Sequence, residues 1–112
     1  MKLPNHKQAV VPREKIVDYL LSFVHKDGRA KAEFFRRFGF TKKNWGVLAD
    51  ALKRHAAEHE IKKEEASSFG MRYIFEREII APDGRKPKVR VIWFVEKETN
   101  LPRLATAYPL RG

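Results

Sequence analysis

The chain changes its hydrophobic period once, near residue 70, and that change limits the folds open to it. Up to about His59 the apolar residues recur at helical spacing, the repeat of a helix with one buried face. From Met71 onward apolar and polar residues alternate, the repeat of a strand lying on a core. A helical half followed by a strand half predicts an α+β fold, with three N-terminal helices packed on one face of a three- to four-stranded antiparallel meander sheet. The 112 residues suffice for a single domain with one modest core, and no repeat or Gly/Ser/Pro-rich linker divides them. Residues 1–11 read as an N-terminal arm.

The first helix is expected from Pro12, a residue tolerated in a first turn, to near His25, with Ile16, Leu20 and Phe23 inward. The second runs from Asp27 or Gly28 to Phe38, with Phe34, Phe35 and Phe38 as its apolar edge. Gly39 stands just past its end, where a left-handed backbone is needed. Thr41 caps the third, which buries Trp45, Leu48, Leu52 and Ala56 and fades near His59. After a polar stretch at 62–68, strands are expected from Met71 to Ile80, from Val89 to Val95 and from Leu104 to Tyr108. Pro82-Asp83-Gly84 and Thr99-Asn100 with Pro102 mark the turns between them. Both faces of the middle strand carry apolar residues. Either the Trp93 face or the face with Arg90, Ile92 and Phe94 could meet the helices. Strict alternation in the last strand puts Thr106 and Tyr108 on one face and Arg103 and Ala107 on the other.

Lys and Arg total 24 against 14 Asp and Glu, a formal charge of +10. The excess is uneven. Residues 1–63 hold 15 basic and 7 acidic residues, whereas residues 64–112 hold 9 and 7. Such asymmetry points to a basic surface that meets a polyanion, RNA or DNA first, with an anionic membrane or an acidic protein as alternatives. A merely soluble basic surface accounts for the same count. The chain has no cysteine, which excludes disulfides, cysteine-ligated zinc, iron–sulfur clusters and a thiol nucleophile. No apolar run approaches the roughly 18–20 residues of a membrane span. No apolar segment of signal-peptide type follows the basic start, so a cytoplasmic protein is expected, or one exported by a separate delivery system.

The densest chemistry lies at His25-Lys26-Asp27-Gly28-Arg29-Ala30-Lys31. A helix start flanked by Lys26, Arg29 and Lys31 suits a phosphate, and His25 has a side chain whose ordinary pKa suits proton transfer near neutrality. The same residues also read as a helix capped by Asp27 with a solvated basic face and His25 in a loop. A second candidate is Arg103-Leu104-Ala105-Thr106-Ala107-Tyr108-Pro109, where a hydroxyl and a phenol side by side can hold a phosphate. Tyr108 can also complete the core edge, the commoner fate of a strand tyrosine. Asp83-Gly84-Arg85-Lys86 reads as a turn with a basic tip that serves solubility. His55 and His59 stand four apart on a helix, as zinc ligands do, yet no third ligand accompanies them, and a solvated pair is the plainer reading. No metal or other cofactor is expected. The chain has no phosphate-binding glycine loop, dinucleotide fingerprint or Gly-x-Ser-x-Gly elbow.

Taken together, several segments resemble an uncharacterised bacterial domain family. They are Leu3-Pro4-Asn5, His25-x-x-Gly28-x-x-Lys31-Ala32, Phe34-Phe35, Gly39-Phe40, Trp45, Gly84-Arg85, Trp93 and Pro102-Arg103-Leu104-x-Thr106-Ala107-Tyr108-Pro109. The closing Thr-Ala-Tyr-Pro strand is similar to the ending of many toxin domains of the barnase, EndoU, colicin and RelE-like nuclease superfamily. The resemblance implies a metal-independent ribonuclease, in which a ribose 2′-hydroxyl attacks the neighbouring phosphorus. On this sequence His25 would be the base or acid. Lys31 and Arg90 would hold the developing negative charge, with Arg90 resting on strand chemistry rather than on a motif. Thr106 and Tyr108 would orient the phosphate. Lys26, Arg29 and Arg103 would bind the RNA. RNA and an acidic antitoxin or immunity protein are the implied partners. The same charge also fits a non-catalytic nucleic-acid-binding module or a protein-interaction domain.

Overall fold

A computed structural model describes residues 1–24 and 29–110. The expected α+β order is present. Helix α1 joins an α-helical turn, Arg13–Lys15, to a wider π-helical turn, Ile16–Leu20. Helix α2 spans Arg29–Arg37 and α3 spans Trp45–Glu58. Strands β1 (Lys63–Ala66), β2 (Gly70–Glu78), β3 (Lys88–Glu96) and β4 (Pro102–Pro109) form one sheet in sequence order, every neighbouring pair antiparallel. Among the described residues no helix is long and apolar enough to cross a membrane.

The question of which face of β3 is inward is resolved. Val89, Val91, Trp93 and Val95 join Phe75, Leu104 and Ala107 in the core with Ile16, Leu20, Phe35, Leu48 and Leu52. Arg90, Ile92 and Phe94 therefore lie on the outer face, opposite Glu76, Ile74 and Arg72 of β2.

The end of α2 shows how local sequence sets the path. Gly39 takes φ +101°. Its N–H donates to Arg36 O at 3.0 Å, and the Phe40 N–H donates to Phe35 O at 3.1 Å. This is the double-bonded helix end that glycine permits, and the Phe35 and Phe40 rings close it with centroids 5.9 Å apart. Arg85 completes it. The guanidinium donates to Arg37 O at 2.9 Å and lies 4.3 Å from the Phe38 ring, so the basic turn docks on a helix instead of serving solubility alone.

Several local expectations need correction. Helix α1 ends at Leu20, not near His25, because the Leu21 N–H bonds Ile16 O, five residues back, at 2.8 Å. The wider turn buries Ile16, Leu20 and Leu21 together and leaves Phe23 exposed. Thr41 accepts the Asn44 N–H at 3.2 Å, one turn ahead of α3 instead of at its cap. The polar stretch at 62–68 contains β1, an edge strand whose Lys63, Glu64 and Glu65 carry charge outward. In β4 strict alternation fails. Ile92 pairs with Thr106, but Trp93 pairs with Leu104, so Ala105 is an extra residue and the parity flips. Arg103, opposite Phe94, thus shares the outer face with Thr106 and Tyr108.

The N-terminal residues 1–11 lie along the body. Leu3, Ala9 and Val11 are buried, the Val10 N–H donates to Pro102 O at 2.8 Å, and the Leu104 N–H donates to Val10 O at 3.0 Å. This short parallel bridge covers the start of the β4 edge.

Candidate functional site

The cluster that gathers most of the candidate residues lies where α1 and α2 meet the outer face of β4. The π turn presents Tyr19, half-buried, beside Thr106; their hydroxyls are 3.3 Å apart. Lys31, on the first turn of α2, donates from Nζ to the Tyr19 hydroxyl, with Nζ 4.6 Å from the Tyr19 ring centroid. The same Nζ stands 5.9 Å from the Tyr108 ring. Lys15 approaches the Tyr19 ring at 5.3 Å.

The second half of the cluster is a row across three strands. Glu76, Arg90 and Tyr108 are neighbours in register on β2, β3 and β4. Arg90 donates Nε to Glu76 Oε2 at 2.6 Å and also grips that carboxylate with Nη2. Its Nη1 donates to the Tyr108 hydroxyl at 3.2 Å. Three of the five N–H donors of the guanidinium are engaged among the described residues, so two remain for an anion. Tyr108 therefore joins two cations, Lys31 over its ring and Arg90 at its hydroxyl.

The electrostatics follow from this packing. Burial pushes the Tyr19 phenol up, but hydrogen bonds with Lys31 and Thr106 and the charges of Lys31 and Lys15 outweigh it, and the net shift is downward. Hydrogen bonds to Tyr108 and Glu76 hold the Arg90 guanidinium above its usual range. Among the described residues the cluster sets Lys15, Lys31 and Arg90 beside one carboxylate, Glu76. Hydroxyls at Tyr19, Thr106 and Tyr108 lie in the same cluster.

Lys31, Arg90, Thr106 and Tyr108 are thus brought together from α2, β3 and β4. His25 and Lys26 lie outside the described residues. Arg29 is exposed at the start of α2, 4.0 Å from Glu33. Arg103 is exposed on β4, further along the outer face. Sequence reasoning missed Tyr19 and Glu76. Tyr19 lies within the expected first helix without a role assigned to it, and the π turn places it beside Thr106 of β4. Glu76 was visible as a carboxylate on the polar side of β2, directly across from Arg90 once the meander is paired.

The two helical histidines are not a solvated pair. His55 is buried, its Nε2–H donates to Arg77 O at 3.1 Å, and its Nδ1 has no partner among the described residues. His59 donates from Nδ1 to His55 O at 2.9 Å, its ring 4.7 Å from that of His55. Both line a separate cleft of about 740 Å³ between α3 and the β2–β3 connection, together with Asp50, Glu58, Glu78 and Ile80. None of the described candidate residues for phosphate chemistry lines it. No group of three or more His, Asp or Glu is placed to hold a metal ion among the described residues.

The architecture has a counterpart among solved structures. A chain of the contact-dependent growth inhibition toxin–immunity protein complex from Klebsiella pneumoniae 342 superposes with a TM-score of 0.75. The match covers 96% of this chain and 97% of that one, and 23% of residues are identical. That likeness establishes a shared fold. No curated protein matches the sequence. Over residues 2–111 the sequence matches the family described as a domain of unknown function, DUF6883, and the chain belongs to that family.

Proposed function

We propose that the protein is a toxin-type endoribonuclease that cleaves RNA by attack of a ribose 2′-hydroxyl on the adjacent phosphorus. The observation that carries this reading is the convergence of Lys31, Tyr19, Thr106, Tyr108 and Arg90 on one small surface, with cations on either side of a phenol. The kinship of fold with a chain of a toxin–immunity complex supports the toxin setting. The charge of +10 supports a polyanionic substrate.

In this reaction a base removes the 2′-hydroxyl proton, and the 2′-oxygen forms a bond to phosphorus. The bond to the 5′-oxygen then breaks, and an acid protonates that oxygen as it leaves. The products are a 2′,3′-cyclic phosphate and a 5′-hydroxyl. Lys31 and Arg90 act on the phosphoryl oxygens, where negative charge grows in the transition state. Thr106 and Tyr108 orient those oxygens by hydrogen bonds. His25 remains the proposed proton-transfer group, and Tyr19, its hydroxyl held between Lys31 and Thr106, is a second one. An acidic immunity protein is the proposed restraint.

The test is incubation of the purified chain with total RNA in excess chelator. Cleavage with cyclic-phosphate ends is expected, together with loss of cleavage in Lys31→Ala and Arg90→Ala variants that keep the wild-type melting curve. A folded wild-type sample that leaves RNA intact removes the proposal. Salt-sensitive binding without cleavage would favour the non-catalytic nucleic-acid-binding module instead.

A further inference from the structure

We infer that Phe94 is a base-stacking platform, a subsite for a single-stranded stretch of RNA on the outer face of the sheet. The identity of the strand rests on the ribonuclease reading; the subsite itself lies away from the cluster that supports that reading.

Phe94 is on the outer face of β3 and half-buried, outside the hydrophobic core. In register it stands between Arg72 of β2 and Arg103 of β4. The extra residue Ala105 creates this row, because it turns Arg103 to the outer side. The ring has a fixed seat. A Cβ built on Gly70 would come within 3.0 Å of Phe94 Cε2, so the missing side chain lets the ring lie against the β2 backbone. The ring is backed at its Cε2 edge, and the residue keeps part of its surface exposed. Glu65 holds the Arg72 guanidinium at 2.8 Å, while Arg103 has no ion-pair partner among the described residues.

Aromatic faces accept any base, and flanking guanidiniums meet the phosphates on either side. A base inside a duplex has no free face to offer, so the partner is a single-stranded or splayed segment. Phe94 is four residues from Arg90 along one strand, about 13 Å at the usual rise per residue. An extended strand covers that distance in a few nucleotides. The subsite therefore seats a base, of any identity, a short way from the bond that is cut.

The experiment uses the whole chain and a short single-stranded RNA with every 2′-hydroxyl methylated, which blocks cleavage and leaves binding readable. A 2-aminopurine base is placed at each position in turn. Stacking should quench its fluorescence at one position. Phe94→Ala should abolish that quench and weaken binding about tenfold, while Phe94→Trp preserves both. Arg103→Ala should lower the slope of log affinity against log salt by about one. Equal affinity and quench in Phe94→Ala, or no binding by the wild type, overturns the subsite. So does a Phe94→Ala variant that loses only a protein partner. A quench that depends on Phe94, beside a wild type inactive in the chelator assay, keeps the subsite and removes the nuclease. Cleavage with no Phe94-dependent quench does the reverse.

Discussion

Arg90 shows how one side chain can be both anchored and available. The Glu76 carboxylate takes Nε and Nη2, and the Tyr108 hydroxyl takes Nη1. That fork is specific to arginine. A lysine carries the same charge but cannot span the carboxylate and the phenol at once. Arg90→Lys should therefore lower RNA cleavage by about a hundredfold, near the cost of removing one donor from a charge-stabilising site, while the melting temperature stays close to wild type. Tyr108→Phe removes the hydroxyl and leaves the ring beneath Lys31, so a smaller loss, about tenfold, is expected. Because both substitutions break the same Arg90–Tyr108 bond, the double variant should lose less than the two single losses combined. Single-turnover rates on one oligonucleotide measure all three. A fully additive double variant would mean that the two side chains act separately.

At the scale of elements, strong local signals were legible and tertiary adjustments were not. Gly39 was readable because a helix that must stop and turn needs a left-handed residue. Strands β2 and β3 were readable from their alternation, but Ile74 and Ile92, buried on the outer face, hid which face meets the helices. The sequence of β1 hid its strand, since an edge strand in water needs no apolar residue and Lys63-Glu64-Glu65 has none. The π turn that aims Tyr19 and the bulge at Ala105 each insert one residue into a regular repeat, and packing decides where. These two insertions are also why the site was only half legible. Lys31, Thr106, Tyr108 and Arg90 could be named as chemical types, but their partners Tyr19 and Glu76, and the true face of Arg103, depend on register. The Gly39 reading has a measurable consequence. Its φ of +101° is costly for any residue with a Cβ, and a Cβ there would also touch Pro82 at 3.4 Å. Gly39→Ala should cost about 1–2 kcal/mol, a fall of several degrees in melting temperature. No change would mean that the chain can leave α2 by another path.

Over the whole molecule, the candidate site joins the helical and the strand halves, so its geometry exists only while they stay packed. One of the groups holding them together is sensitive to acid. His55 of α3 is buried against Phe75 of β2, their ring centroids 6.0 Å apart, and its Nε2–H bonds Arg77 O. Burial lowers its pKa to about 4; the hydrogen bond to Arg77 and the charge of Glu58 oppose the shift, while His59 adds to it. The unfolded chain has an ordinary histidine, titrating near 6.5. Between those values the unfolded state binds a proton that the folded state refuses. The contribution of His55 is therefore complete above pH 6.5 and lost as pH falls towards 4, where it has removed about 3 kcal/mol. For a domain whose total stability is of order 5–15 kcal/mol, that is a large share. The wild type should lose melting temperature steeply between pH 7 and 4.5. His55→Gln keeps a donor for Arg77 O but cannot be protonated, so its curve should fall less over the same range. Parallel curves for the two proteins would show that the acid sensitivity arises elsewhere. A shallower curve for the variant would tie cohesion of the two halves, and with it the Lys31–Thr106 geometry, to a neutral imidazole in the α3–β2 interface.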